Sequence, residues 1–204
     1  MGTAIAVVAM TLALLISTSC VELRQEVPIT PGVAPAELLG ASWEDLPVTY
    51  CVPEQPGVGF VDHETLLRLV AEAFAAWGVP AEIADECSGG VETGNGLNEI
   101  GWGRLPAAAS PGHKAGETSI RFLQTLGGGQ ADITEADIVI EAGPPAGLET
   151  EECLYSTLLH ETGHFLGAHH IAPPAIMAPA LTSCPQELTQ ADLDMVALLY
   201  PPPQ

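Results

Sequence analysis

The stretch His160-Glu161-Thr162-Gly163-His164-Phe165-Leu166-Gly167-Ala168-His169-His170 decides how this chain is read, because it holds the pattern H-E-x-x-H-x-x-G-x-x-H. On a helix of 3.6 residues per turn, positions four apart share a face, so His160 and His164 can offer two imidazoles to one ion. Glu161 then points beside that face, where its carboxylate can meet a water on the ion without ligating the ion. Gly167 lets the backbone leave the helix through a conformation that is costly for residues bearing a Cβ. Beyond it the chain turns back and His170 supplies the third nitrogen. Three protein ligands leave one position open for water, which marks a catalytic rather than a structural zinc. His169 could compete with its neighbour, but the spacing selects His170.

Around this motif, residues 151–167 read as a helix with an apolar stripe through Leu154, Leu158 and Leu159. Residues 189–200 read as a second helix, ended by Pro201, Pro202 and Pro203. Upstream, residues 46–52 alternate as a strand does, and residues 63–77 carry Leu66, Leu67, Leu69, Val70, Ala73, Phe74 and Trp77 at helical spacing. Asp62 is the expected N-cap of that helix and Gly78 its stop. Residues 82–84, 98–102, 119–123 and 133–140 are the remaining strand candidates, with Gly127-Gly128-Gly129 between the last two. A Gly-rich acidic loop fills 88–96, and 103–119 reads as a long irregular loop.

The chain has 204 residues, room for one ordinary domain with short appendages. Its 26 acidic side chains against five basic ones give a formal net charge of −21. That balance argues against a nucleic-acid partner, which demands phosphate-neutralising Lys and Arg. It also disfavours docking on an anionic membrane surface. The first 19 residues carry no charge, and Ala4 to Ile16 is a nearly unbroken apolar run of signal-peptide length. Small residues lead to Cys20, so residues 1–19 resemble the export signal of a bacterial lipoprotein whose cysteine is lipidated. Ser17 stands where such signals usually carry Leu, and plain secretion is the alternative. Residues 20–45, with Pro28, Pro31 and Pro35, read as a Pro-rich tether, leaving 46–201 as the domain. Four further cysteines, Cys51, Cys87, Cys153 and Cys184, read as two disulfides in an exported chain, with three connectivities open. A four-thiolate zinc site fails on spacing, because no two of them form a close pair.

The long histidine motif, followed by Ile176-Met177-Ala178-Pro179, resembles the signature of the metzincin zinc peptidases, in which a Met-turn follows the third histidine. The stretch from Leu188 to Tyr200 resembles the final helix of matrixins, the matrix-metalloproteinase branch. The likeness is specific over 153–201 and architectural over 46–145. It implies an α+β fold of three-layer, α/β-like type: a twisted, mostly parallel five-stranded sheet, a backing helix, the zinc helix and a small C-terminal subdomain. It implies Met177 as a packing floor beneath the metal, Gly167 as the helix exit and Asp192 as support for the Met-turn. It places the strand 133–140 near the cleft, with a peptide substrate adding to such an edge through main-chain hydrogen bonds. The implied fold should also bring together Cys51 with Cys87 and Cys153 with Cys184, the pairing expected here.

The resemblance implies hydrolysis of peptide bonds in protein substrates by a monomer carrying one catalytic Zn2+, with Glu161 as base and membrane contact only through a lipid anchor at Cys20. The alternatives are a non-catalytic zinc-binding surface lipoprotein, or a peptidase restricted to one partner protein. Cys51-Val52-Pro53 only faintly echoes a cysteine switch, and no propeptide of that type is recognisable. With only His63 and His113 before the zinc helix, no second, structural zinc is expected. Calcium could lie in the acidic stretches around 85–99 and 127–137, but neither has EF-hand spacing, and both read as solvated loops. Tyr155 and Tyr200 do not occupy the position after the Met-turn that supplies an oxyanion donor in some metzincins.

Overall fold

The computed structural model describes residues 25–27, 41–105, 115–123, 131–144, 147–180 and 183–201. The export signal of residues 1–19, the anchor at Cys20, His113 and the glycines Gly127 to Gly129 lie outside the described residues. In chain order the elements are β1 (Gln25–Val27), β2 (Ala41–Ser42), β3 (Val48–Tyr50), α1 (His63–Trp77), β4 (Ala81–Ile83), β5 (Ile100–Gly103), β6 (Gly116–Leu123), β7 (Ala131–Glu141), α2 (Glu151–Phe165) and α3 (Gln190–Leu199). The architecture is mixed α and β, and the sheet is mostly parallel.

β7 is the axis of the sheet. Along one side it pairs antiparallel with β6; along the other it pairs parallel with β5 and, further toward its start, with β2. β3 and β4 pair parallel as a second ribbon. A parallel bridge between Cys51 and Glu99 links that ribbon to the start of β5. The expectation of a five-stranded sheet is met by β1, β2, β5, β6 and β7, with the β3–β4 ribbon beside it.

Burial explains the elements. α1 runs over the residues its apolar spacing predicts, capped by Asp62, which accepts from the Thr65 amide at 2.7 Å, and stopped at Gly78 with φ 70°. Leu66, Leu69, Val70, Ala73, Phe74 and Trp77 form its buried face. Burying each large side chain contributes about 1.5–3 kcal/mol. Helix propensities differ by only about 0.7 kcal/mol per residue. Packing therefore decides this helix. Trp77 ties it to α2 by donating its indole N–H to the Leu159 carbonyl at 2.9 Å, in the buried interior. Both expected disulfides form, Cys51–Cys87 and Cys153–Cys184.

Three expectations need correcting. The strand 133–140 is no edge: β7 is paired on both sides, and β6 is the strand beside α2. β6 begins at Gly116 rather than 119, because Gly116 and Glu117 pair with Ile140 and Val139, and that ladder overrides their weak strand preference. The stretch read as a tether also contributes to the sheet, since β1 pairs antiparallel with β6 and β2 parallel with β7. Short strands of this kind leave no periodic trace in a Pro-rich segment. They form because β6 and β7 offer them unpaired backbone groups.

Candidate metal centre

α2 starts under the Thr150 cap, whose hydroxyl accepts from the Cys153 amide at 3.2 Å. Its second half is unlike an ordinary amphipathic helix, for every residue from Leu158 to Phe165 is buried. Two histidines and a glutamate in such a place must be satisfied by partners. Both imidazoles and the Oε2 of Glu161 have them, and these partners determine the chemistry.

The Nδ1 of His160 lies 2.7 Å from the Ile176 carbonyl, and the Nδ1 of His164 lies 2.8 Å from the Ala168 carbonyl. A carbonyl only accepts, so both rings carry their proton on Nδ1 and present a bare Nε2. The Nε2 atoms of His160 and His164 are 3.1 Å apart, those of His164 and His170 3.1 Å, and those of His170 and His160 3.3 Å. Tetrahedral zinc at about 2.05 Å from each nitrogen requires separations of about 3.3 Å. The donor set fits. Lone pairs converging at this distance repel without a cation between them, a second sign that the cluster is built for one. Burial pushes the His160 imidazole down to about 4 and His164 well below its usual value, with His170 lowered for the same reason. All three rings are therefore neutral at neutral pH, as ligands must be. His169 stays outside this group.

The motif leaves its helix at Gly167, which has φ 89°. A Cβ there would lie 2.0 Å from the Ala41 carbonyl oxygen, so conformation and space both demand glycine. The amide of Ile171, next to His170, donates to the Met177 carbonyl at 2.9 Å and holds the returning chain.

Beneath the helix Met177 is fully buried, and a Cβ on Gly163 would come within 2.3 Å of its sulfur and 2.7 Å of Trp77. Met177 thus touches the helix between His160 and His164. Asp192, also fully buried, accepts from the Ile176 and Met177 amides at 3.0 Å each, and from the Thr189 amide and hydroxyl at 2.8 and 2.7 Å. One carboxylate therefore secures the backbone whose Ile176 carbonyl orients His160.

Glu161 is held by β6. The Thr118 hydroxyl lies 2.6 Å from its Oε2, and a Cβ at Gly116 would fall 2.6 Å from its Cγ. Neither residue is signalled by the motif. Gly163 is signalled in the sequence as a helix-interior glycine; Thr118 carries no signal, because its contact with Glu161 exists only through strand placement. Cys51, Cys87 and Glu99 form another close group, but the two sulfurs are joined and no longer serve as thiolate ligands.

No family model matches this chain, and no curated protein matches it. What its residues can do therefore rests on the site itself: three neutral imidazoles arranged for one tetrahedral cation, with a carboxylate held on the adjoining residue.

Proposed function

We propose that this chain is a zinc-dependent endopeptidase of metzincin type, closest to matrixins, acting on peptide bonds of protein substrates. The observation that supports it most is the triangle of Nε2 atoms with sides of 3.1, 3.1 and 3.3 Å, joined on the next residue by a glutamate that no ligand role explains. A purely structural zinc has no need of such a base and closes its fourth position with protein.

His160, His164 and His170 would hold the ion, which when bound supplies Lewis-acid polarisation and a more acidic water. Glu161 accepts a proton from the attacking water and passes it to the leaving amine nitrogen as the C–N bond breaks. Thr118 steadies that carboxylate. Met177 and Asp192 keep the ligands in place from below. The scissile bond would lie against Glu161, which Gly116 and Thr118 of β6 border. Under the same reading the chain is exported, as a secreted or surface-anchored monomer.

The test is cleavage of a denatured generic protein by the purified chain, with zinc quantified and 1,10-phenanthroline as control. About one zinc per chain with chelator-sensitive cleavage is expected. Glu161→Gln should retain zinc and lose at least about a hundredfold in turnover. Zinc binding without cleavage of any substrate in a broad panel would favour a sequestering protein, and absence of zinc would defeat the proposal.

A further inference from the structure

The C-terminal end of α2 poses a problem that the histidine motif does not solve. The last carbonyls of a helix have no partner within it, and those of Phe165 and Leu166 lie among fully buried residues. Their partners come from opposite ends of the domain. The Trp43 indole N–H donates to the Phe165 carbonyl at 2.9 Å. The Tyr200 hydroxyl donates to the Leu166 carbonyl at 2.9 Å and accepts from the Trp43 backbone amide at 3.2 Å. Trp43 also packs its ring on Phe165, with centroids 5.5 Å apart. Two residues before it, the Ala41 carbonyl closes against Gly167. Burial pushes the Tyr200 phenol up to about 12, so it remains a donor at neutral pH.

These contacts meet on Phe165, Leu166 and Gly167, the three residues through which the chain passes between His164 and the turn to His170. We propose that Trp43 and Tyr200 are positioning residues of the metal centre, bonded to each other and to this junction so that the His170 Nε2 is delivered at ligand distance. The proposal rests on the zinc reading and adds to it a brace assembled from the two chain termini of the domain. Without the brace, two buried carbonyls lose their donors, and the junction can relieve this only by shifting toward water. His164 is protected from such a shift by its own bond to the Ala168 carbonyl. Among the described residues no side-chain bond other than those within the histidine cluster holds His170, so it is the ligand that moves.

The experiment uses the full chain with Tyr200→Phe, which removes one hydroxyl, and Trp43→Phe, which keeps a ring on Phe165 but removes the indole donor. Zinc affinity is measured by competition with a chromophoric chelator, coordination by the absorption of the cobalt-substituted protein, and folding by the melting of the metal-free form. Each variant should weaken zinc about tenfold, and alter the cobalt spectrum, while the metal-free form still folds. In a His170→Ala background, Tyr200→Phe should change zinc affinity no further, because the ligand it positions is gone. An equal Tyr200→Phe effect in both backgrounds would overturn the proposal, as would unaltered zinc affinity in both single variants. Loss of the folded metal-free state in both would assign the pair a structural role alone and overturn it too. If the unsubstituted chain binds no zinc, the metal reading and the brace fall together; if it binds zinc and only the variants behave otherwise, the brace alone is lost.

Discussion

The Thr118 hydroxyl reaches two oxygens of Glu161, the side-chain Oε2 at 2.6 Å and the backbone carbonyl at 3.1 Å. A strand residue thereby sets the position of a helix carboxylate 43 positions later in the chain. The contact joins β6, a strand paired on both sides within the sheet, to the group that would move the proton.

Thr118→Val keeps the shape of the side chain and removes the hydroxyl. A hydrogen bond to a charged group is worth about 1.5–3 kcal/mol, so kcat/KM should fall about 10- to 100-fold. Zinc content should be unchanged, and Thr118→Ser should restore most of the rate. Zinc loss in Thr118→Val would instead show that the contact supports the ligands.

Asp192→Asn tests the support beneath the Met-turn. The carboxylate accepts four hydrogen bonds with both oxygens, whereas an amide nitrogen would face donors with a donor. The substitution should destabilise the fold by about 2–4 kcal/mol. Through Ile176 it should also weaken zinc about 10-fold. Urea unfolding and metal competition read the two effects separately.

Gly163→Ala would ordinarily strengthen a helix by about 1 kcal/mol. Here the new methyl group meets the Met177 sulfur and the Trp77 ring, and overpacking costs about 1–3 kcal/mol. A net loss in melting temperature is expected. Gly163→Ala combined with Met177→Ala should recover part of it, because the second change makes room.

Asp137 governs a pH dependence away from the metal. Burial, followed by the charges of Glu135 and Glu99, pushes its carboxyl up to about 8. Glu135 is its neighbour but one on β7, Glu99 faces it from the start of β5, and Arg121 pairs with Glu135 from β6. The native state thus holds a proton that the unfolded chain releases near 3.8. Stability from this group is present at low pH and is lost as pH rises through that window toward 8. Asp137→Asn should flatten the slope, so that its advantage over the unsubstituted chain is larger at pH 8 than at pH 5. Urea unfolding at the two pH values measures the difference.

How much of this was legible depended on whether the information was local. The spacing of the histidines predicted a cluster that forms, because four-residue periodicity is a property of one helix. The cap at Asp62, the stop at Gly78 and the buried stripe of α1 were legible for the same reason. The capping box of α3, in which Thr189 and Asp192 bond reciprocally, was less so, because Asp192 does two jobs and its bonds to the Met-turn are non-local. Residues 41–43 read as tether, since a two-residue strand and one tryptophan near a Pro-rich stretch have no period to detect.

The amino-acid sequence by itself determined the histidine cluster and the carboxylate beside it, the helices around them and the glycine at the exit, all relationships within a few turns of one segment. Only the tertiary structure decided that β6 rather than β7 borders Glu161, that Thr118 holds the carboxylate, and that Trp43 and Tyr200 close the end of the metal helix. The physical reason lies in what satisfies a buried polar group. A helix can align its own side chains, but its last carbonyls and its buried carboxylate need donors from elsewhere, and packing chooses which distant residues supply them.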